Sequence, residues 1–183
     1  PWTVETEKAE QHVNVVCFPC RTFSLLGLTD PRGYIPLTDL KVLNAATASP
    51  PFQFGLSLAD TEPGDGSENL ATAWTDPTLR ILLTLGVGFQ GKRLILINNS
   101  PDRPEGEGFV VDELTTLPSM ILQGAGDMWT LDDARMKKLE ANGVNNPRLR
   151  SLHEQSGEHI ARARAALESY DYKTYRMAAE KGW

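Results

Sequence analysis

Nothing in these 183 residues supplies a long apolar run, a surplus of positive charge or a rich set of cysteines. No stretch approaches the roughly 18 consecutive apolar residues that a spanning helix requires, so no membrane helix is expected within it. Lys and Arg number 18 against 24 Asp and Glu, a formal charge of -6. That balance argues against the basic footprint of a nucleic-acid-binding protein. Two cysteines exclude a multi-disulfide scaffold. What is present is an ordinary globular balance, 40% hydrophobic and 23% charged, which rules out collagen-like repetition and wholesale disorder. The length suits one domain, or one domain with a small appendage.

The chain opens on Pro1 without a charged, apolar, small-residue leader, and stops inside a helical pattern at Lys181-Gly182-Trp183. The expectation is a processed or excised portion of something longer. Charge is uneven. From Gly143 onward seven Lys/Arg face five Asp/Glu, +2, which leaves -8 for the rest. A mildly basic helical end of this kind is read as a solvated face, with an anionic membrane surface as the lesser alternative because no cluster of four or more Lys/Arg occurs.

From His12 to about Asn99 the pattern is that of strands. Val13 to Phe18, Phe23 to Leu26, Leu40 to Leu43 and Leu70 to Trp74 are short segments, and Phe52 to Leu58 places an apolar residue at every even number but for glycine and serine between. Leu79 to Leu85 and Arg93 to Ile97 are the strongest. Turn signals separate them at Thr29 to Gly33, Ser49 to Pro51, Glu62 to Gly66, Asp76-Pro77, Gly86 to Gly91 and Ser100 to Pro104. Six or seven strands with no helical pattern between them predict an antiparallel β-sandwich or jelly-roll-like module over residues 1–117.

Past Leu117 the period changes to that of helices, giving a helical hairpin or three-helix appendage over 118–183 and an α+β class overall. Asp127 to Leu139 reads as helix ending at Asn142-Gly143. Asn146 caps a second helix with Pro147 at its first position. Leu149, Leu152, Ser156, Ile160, Ala163, Leu167 and Tyr170 form its stripe, and Tyr172, Tyr175, Ala179 and Trp183 form a third. Ala163, Ala166, Ala178 and Ala179 allow close approach of the last two helices.

Cys17-Phe-Pro-Cys20 imitates a thioredoxin dithiol, whose chemistry needs a helix directly after the first cysteine. Arg21 to Gly27 reads as strand, so a structural disulfide or two packed thiols is the expectation for Cys17 and Cys20, with thiol-disulfide exchange as an alternative. Gly86-Val-Gly88-Phe-Gln-Gly91 matches G-x-G-x-x-G, but the strand that follows denies the pyrophosphate its helix N-terminus. A hairpin loop is the reading. Asp60, Glu62, Asp65 and Glu68 crowd one turn without EF-hand spacing, so an acidic surface loop is expected and no metal. His153, Glu154, Glu158 and His159 satisfy neither H-E-x-x-H nor E-x-x-H, and read as a charged helix face. No G-x-S-x-G occurs and no catalytic residue is assigned. Trp74, near the acidic loop in sequence, offers a sugar platform on a pleated surface. Asp60, Glu62, Asp65 and Glu68 are its expected companions.

The phrases Gly126-Asp-Met-Trp-Thr-Leu-Asp-Asp-Ala-Arg-Met-Lys-Lys-Leu, Gly143-Val-Asn-Asn-Pro-Arg-Leu-Arg-Ser-Leu-His and Ala163-Arg-Ala-Ala-Leu-Glu-Ser-Tyr-Asp-Tyr, with Asp30-Pro31 and Pro36 to Ala46 upstream, resemble the extracytoplasmic portion of large prokaryotic multi-pass membrane proteins. The resemblance spans about residues 25 to 183 of this chain. It implies a β-module on a helical stalk leading to membrane segments outside this sequence, and an oxidising location for Cys17 and Cys20. It implies no reaction and no cofactor. The functional expectation is a non-enzymatic sensing or protein-interaction module, with a carbohydrate-binding module as the first alternative. The loops Glu62–Glu68 and Gly86–Gly91 are its expected contacts.

Overall fold

A computed structural model describes residues 17–28, 38–58, 70–87 and 92–182. Within them lie eight strands in two four-stranded sheets and three helices, the helices last in the chain. The class is α+β.

The first sheet has the order β3-β4-β1-β8, from β3 (Phe54–Leu58), β4 (Ala71–Thr75), β1 (Arg21–Leu25) and β8 (Thr116–Leu117). Alternation sets its two faces. Phe23, Leu25, Ala71, Ala73 and Thr75 are buried, while their neighbours Thr22, Ser24, Thr72 and Trp74 are on the other side. Two expectations need correction here. Phe52 is fully exposed and Phe54 is 40% exposed, because the strand starts only at Phe54 and among the described residues is the edge of its sheet. The pairing of β1 with β8 is parallel, not antiparallel. A parallel pair demands a long connection, and here the whole second sheet lies between Leu25 and Thr116, so no crossover helix is needed.

The second sheet has the order β2-β5-β6, with the two-residue β7 (Phe109–Val110) also on β5. β2 is Thr38–Asn44, β5 Arg80–Val87 and β6 Lys92–Leu96. Register puts Val42 opposite Leu83, and Leu83 opposite Leu96. All three side chains therefore fall on one face, and all three are essentially inaccessible. The buried faces of both sheets join a single apolar cluster, which also holds Val111, Leu114, Leu117, Met120 and Ile121. Each fully buried Leu or Ile contributes roughly 1.5–3 kcal/mol relative to exposure.

Helix α1 (Met120–Ala141) begins seven residues before the expected start at Asp127. Glycines 124 and 126 disguise it, since glycine costs a helix about 1 kcal/mol against alanine. Packing decides otherwise: a Cβ at Gly126 would lie 2.4 Å from the Arg164 guanidinium, and Met120, Ile121 and Leu122 are buried. Ser119 caps the helix by accepting the Leu122 N–H at 3.1 Å, and its hydroxyl also bonds the Tyr175 hydroxyl at 2.6 Å. The helix ends as expected at Asn142, with Gly143 at φ +81°.

Helix α2 (Pro147–Glu168) is capped by Asn146, and α3 (Tyr172–Gly182) follows a turn in which Tyr170 has φ +59°. Tyr172 follows closely on Glu168, while at the other end the Gly182 carbonyl accepts the Ser156 hydroxyl at 2.7 Å. The two helices are thus antiparallel. Ala163, Ala166, Ala178 and Ala179 are all buried, as close approach requires. Leu149 and Leu152, however, are 48% and 55% exposed. At 1.5 Å per residue α3 is only about 16 Å long, so it covers the stripe of α2 from Ser156 onward and leaves the first half bare.

Met120 and Ile121 belong to the cluster of the sheets, whereas Leu122 and Ala125 belong to that of the helices. The first turn of α1 thus packs on the sheets and the following turn on the other helices. No helix among the described residues is long and apolar enough to cross a membrane.

Candidate binding face

The outward face of the first sheet is built in two rows. Gly55, Trp74 and Thr22 stand side by side on β3, β4 and β1. Next to them Ser57, Thr72, Ser24 and Thr116 form a second row across all four strands. With neighbouring strands about 4.8 Å apart, the four hydroxyl-bearing residues span about 14 Å. No ionisable side chain stands in either row.

Gly55 is what shapes this face. A Cβ there would fall 2.1 Å from Trp74 Cε2 and 2.3 Å from both Cζ2 and Nε1. Three ring atoms nearly equidistant from one point mean that the indole lies flat across the glycine. Only glycine leaves that space. Trp74 is half-buried, one π-face on the β3 backbone and the other turned away from it. A flat aromatic beside neutral hydroxyls can stack against the apolar face of a ligand while exchanging hydrogen bonds with its rim.

The expected companions of Trp74, namely Asp60, Glu62, Asp65 and Glu68, lie outside the described residues, as do residues 88–91 of the glycine-rich loop. The β3–β4 connection leaves from Leu58 and returns at Ala71, which are paired. Trp74 is paired with Gly55, toward the other end of the two strands.

Cys17 and Cys20 are both exposed and unbonded. They sit in the irregular stretch that leads into β1. β1 follows directly, so the helix that dithiol chemistry draws upon is absent from the segment where it would act.

Asp127 was hidden from sequence reasoning. Its carboxylate is 3% exposed and accepts backbone N–H groups from Ile97 at 2.7 Å, Asn98 at 2.9 Å and Asn99 at 3.4 Å, with Gln123 Nε2 at 2.9 Å. Burial is the largest influence and raises its pKa above the ordinary 3.8, against the lowering effect of these donors. In return Asn99 Nδ2 donates to the Asp127 carbonyl at 2.7 Å. The carboxylate thus ties α1 to the end of β6. With its acceptor sites occupied by the protein's own donors, it is positioned as a staple and not as an acid or base.

His153 stacks on Trp129, centroids 4.7 Å apart, and Trp129 Nε1 donates to the His153 carbonyl at 2.9 Å. His153 Nε2 is buried, 3.5 Å from Asp133 Oδ1. Glu154 and Glu158 are exposed. The four groups His153, Glu154, Glu158 and His159 do not converge. Among the described residues no set of three or more His, Cys, Asp or Glu is gathered as a metal would require.

No family model, curated protein or solved structure matches this chain.

What the chain can bind therefore follows from its own geometry. Trp74 was legible as a candidate because an aromatic in a polar strand is conspicuous. Its partner Gly55 carried a fainter signal, a glycine inside a clean alternation, which marks close approach by another group. Asp127 gave none, since its backbone donors lie about thirty residues away in sequence.

Proposed function

We propose that this chain is a non-enzymatic sensing or interaction module, carried outside the cytoplasm by a membrane-anchored parent, in which the two sheets face each other as a sandwich. The shared apolar cluster of the two sheets supports the sandwich, and the resemblance of the helical phrases to multi-pass membrane proteins supports the location. The observation that carries the binding role is Trp74 held flat over Gly55. An indole fixed by backbone loses little entropy when a ligand stacks on it. Among the described residues, two groups with catalytic potential are otherwise engaged, Asp127 by backbone amides and His153 by Trp129.

The same observation favours a second, narrower reading, that the ligand is a neutral glycan. The hydroxyl row and the absence of ionisable groups on it suit an uncharged polyhydroxyl compound better than an acidic or basic peptide. Titration of the 183-residue chain with neutral oligosaccharides, followed by tryptophan fluorescence, tests it. Wild type responds and saturates, and Trp74→Ala is silent. A Trp74→Ala response equal to wild type ends the assignment of this face, and no response from either ends the glycan reading. Thiol-disulfide exchange is the weakest alternative, because β1 and not a helix follows Cys17 and Cys20.

A further inference from the structure

Beyond Asp127 no residue of α1 is buried, and before Ile160 none of α2 is. These stretches form a two-helix arm whose members run antiparallel, as the Trp129–His153 stack and the Glu140–Arg150 ion pair establish. Its tip gathers cations from two separate stretches of sequence. Arg135, Lys137 and Lys138 occupy the last two turns of α1, and Arg148 and Arg150 the first turn of α2. Glu140 is the one carboxylate among them, so the tip carries +4 within a chain of -6, and everything else carries -10. Arg135 and Lys137 pair with Asp132 and Asp133 lower on the arm. Lys138 and Arg148 have no ion pair among the described residues.

Between these cations sit Leu139, Val144 and Leu149, 49%, 56% and 48% exposed. With Met136, Asn146 and Glu140, whose carboxylate is paired with Arg150, they border a shallow hollow of about 150 Å³. A lone exposed leucine is ordinary, but apolar side chains gathered around one hollow and ringed by charge mark a contact surface.

We propose that the tip of this arm docks on an anionic lipid surface. Lys138 and Arg148 would meet the headgroup phosphates, while Leu139, Val144 and Leu149 enter the interfacial zone beneath them. Charge complementarity selects this occupant. Counted with Asp132 and Asp133, which pair two of its cations, the tip still carries +2 against -8 for the remainder, so an anionic surface attracts the one and repels the other, which turns the arm end-on. The apolar residues are exposed at the end of the arm, and a deformable surface can follow the hollow that they border. The long Lys and Arg stems can stay beside them with their heads in the polar layer.

The test is co-sedimentation of the 183-residue chain with vesicles of phosphatidylcholine alone or with roughly a third phosphatidylglycerol. Binding is expected only to the anionic vesicles, and to weaken steeply with salt. Lys138→Gln with Arg148→Gln weakens it about thirtyfold, while Lys173→Gln and Trp74→Ala leave it unchanged, so this proposal and the Trp74 reading fail separately. An environment-sensitive dye on Val144→Cys, in a Cys17→Ser, Cys20→Ser background, shifts to the blue with anionic vesicles. Equal binding to neutral vesicles, or no dye shift, overturns the proposal. So does head-to-tail self-association through the tip in sedimentation velocity without vesicle binding, and so does capture of an acidic protein in its place. Circular dichroism confirms that each variant is folded.

Discussion

The imidazole of His153 lies on the indole of Trp129 with the two planes only 5° from parallel. This contact clasps the base of the arm, because the same indole also covers Gly157, where a Cβ would sit 2.9 Å from Nε1. Since no residue beyond it toward the tip is buried, little else holds α1 to α2 there. Trp129→Ala is expected to cost about 1–3 kcal/mol where the helices meet, since the indole is only partly buried, felt first as local opening of the arm. Limited proteolysis checks this. Cleavage between residues 139 and 149 should rise several-fold while the sheets stay protected. A uniform rise over the whole chain would instead make Trp129 a global core residue.

Gly55→Ala adds one methyl group where the indole of Trp74 now lies. The backbone of β3 accepts alanine without strain, so the consequence falls on the ring, which must lift away. The expected result is a small stability change, within about 1 kcal/mol, together with a shift of Trp74 emission toward that of exposed tryptophan. If ligand stacking uses the flat indole, Gly55→Ala loses affinity nearly as fully as Trp74→Ala. An alanine variant that keeps both wild-type emission and affinity would show that the indole has another resting place.

Much of the architecture is legible in residue order, and the illegible parts have a common cause. Leu83, Leu96 and Val42 announce strands because alternation is local, and Asn146-Pro147 announces a helix start because capping is local. The early turns of α1 are concealed because Gly124 and Gly126 oppose helix locally, while the burial of Met120 and the room needed by Arg164 favour it from a distance. The parallel partnership of Ser24 with Thr116 is equally distant. The same division governs the surfaces. Trp74 can be named from its strand, but Gly55 as its seat requires the β3–β4 register. The cations of the tip read as thinly spread until the turn at residues 143–146 folds Arg148 back toward Lys138.

Cys17 and Cys20 offer a direct measure of where the chain resides. Both thiols are exposed and unbonded, so a membrane-impermeant maleimide should reach them without unfolding. In intact cells expressing the full-length parent, labelling is expected before lysis, or after mild external reduction if the oxidising compartment has joined them. Serine at both positions abolishes the label and serves as the control. Labelling that appears only after lysis would place the module in the cytoplasm and remove the anchored, extracytoplasmic reading.

Asp127 links the sheets to the helices, and its ionisation opposes the fold it ties together. Burial outweighs the amides of Ile97, Asn98 and Asn99, so the folded protein holds the carboxyl proton more tightly than the unfolded chain does. A carboxyl raised in this way contributes its full stabilisation below the unfolded value of 3.8, and that part is lost as pH climbs through the folded value. Asp127→Ala leaves buried N–H groups without an acceptor, each costing roughly 1–3 kcal/mol, and should be strongly destabilised at every pH. Asp127→Asn keeps one acceptor oxygen and removes the titration. The advantage of wild type over Asp127→Asn, measured by urea unfolding, should therefore narrow as pH rises from about 4 toward neutrality. An advantage that widens over that interval would mean that the three amides dominate and that the ionised carboxylate is the form the fold prefers.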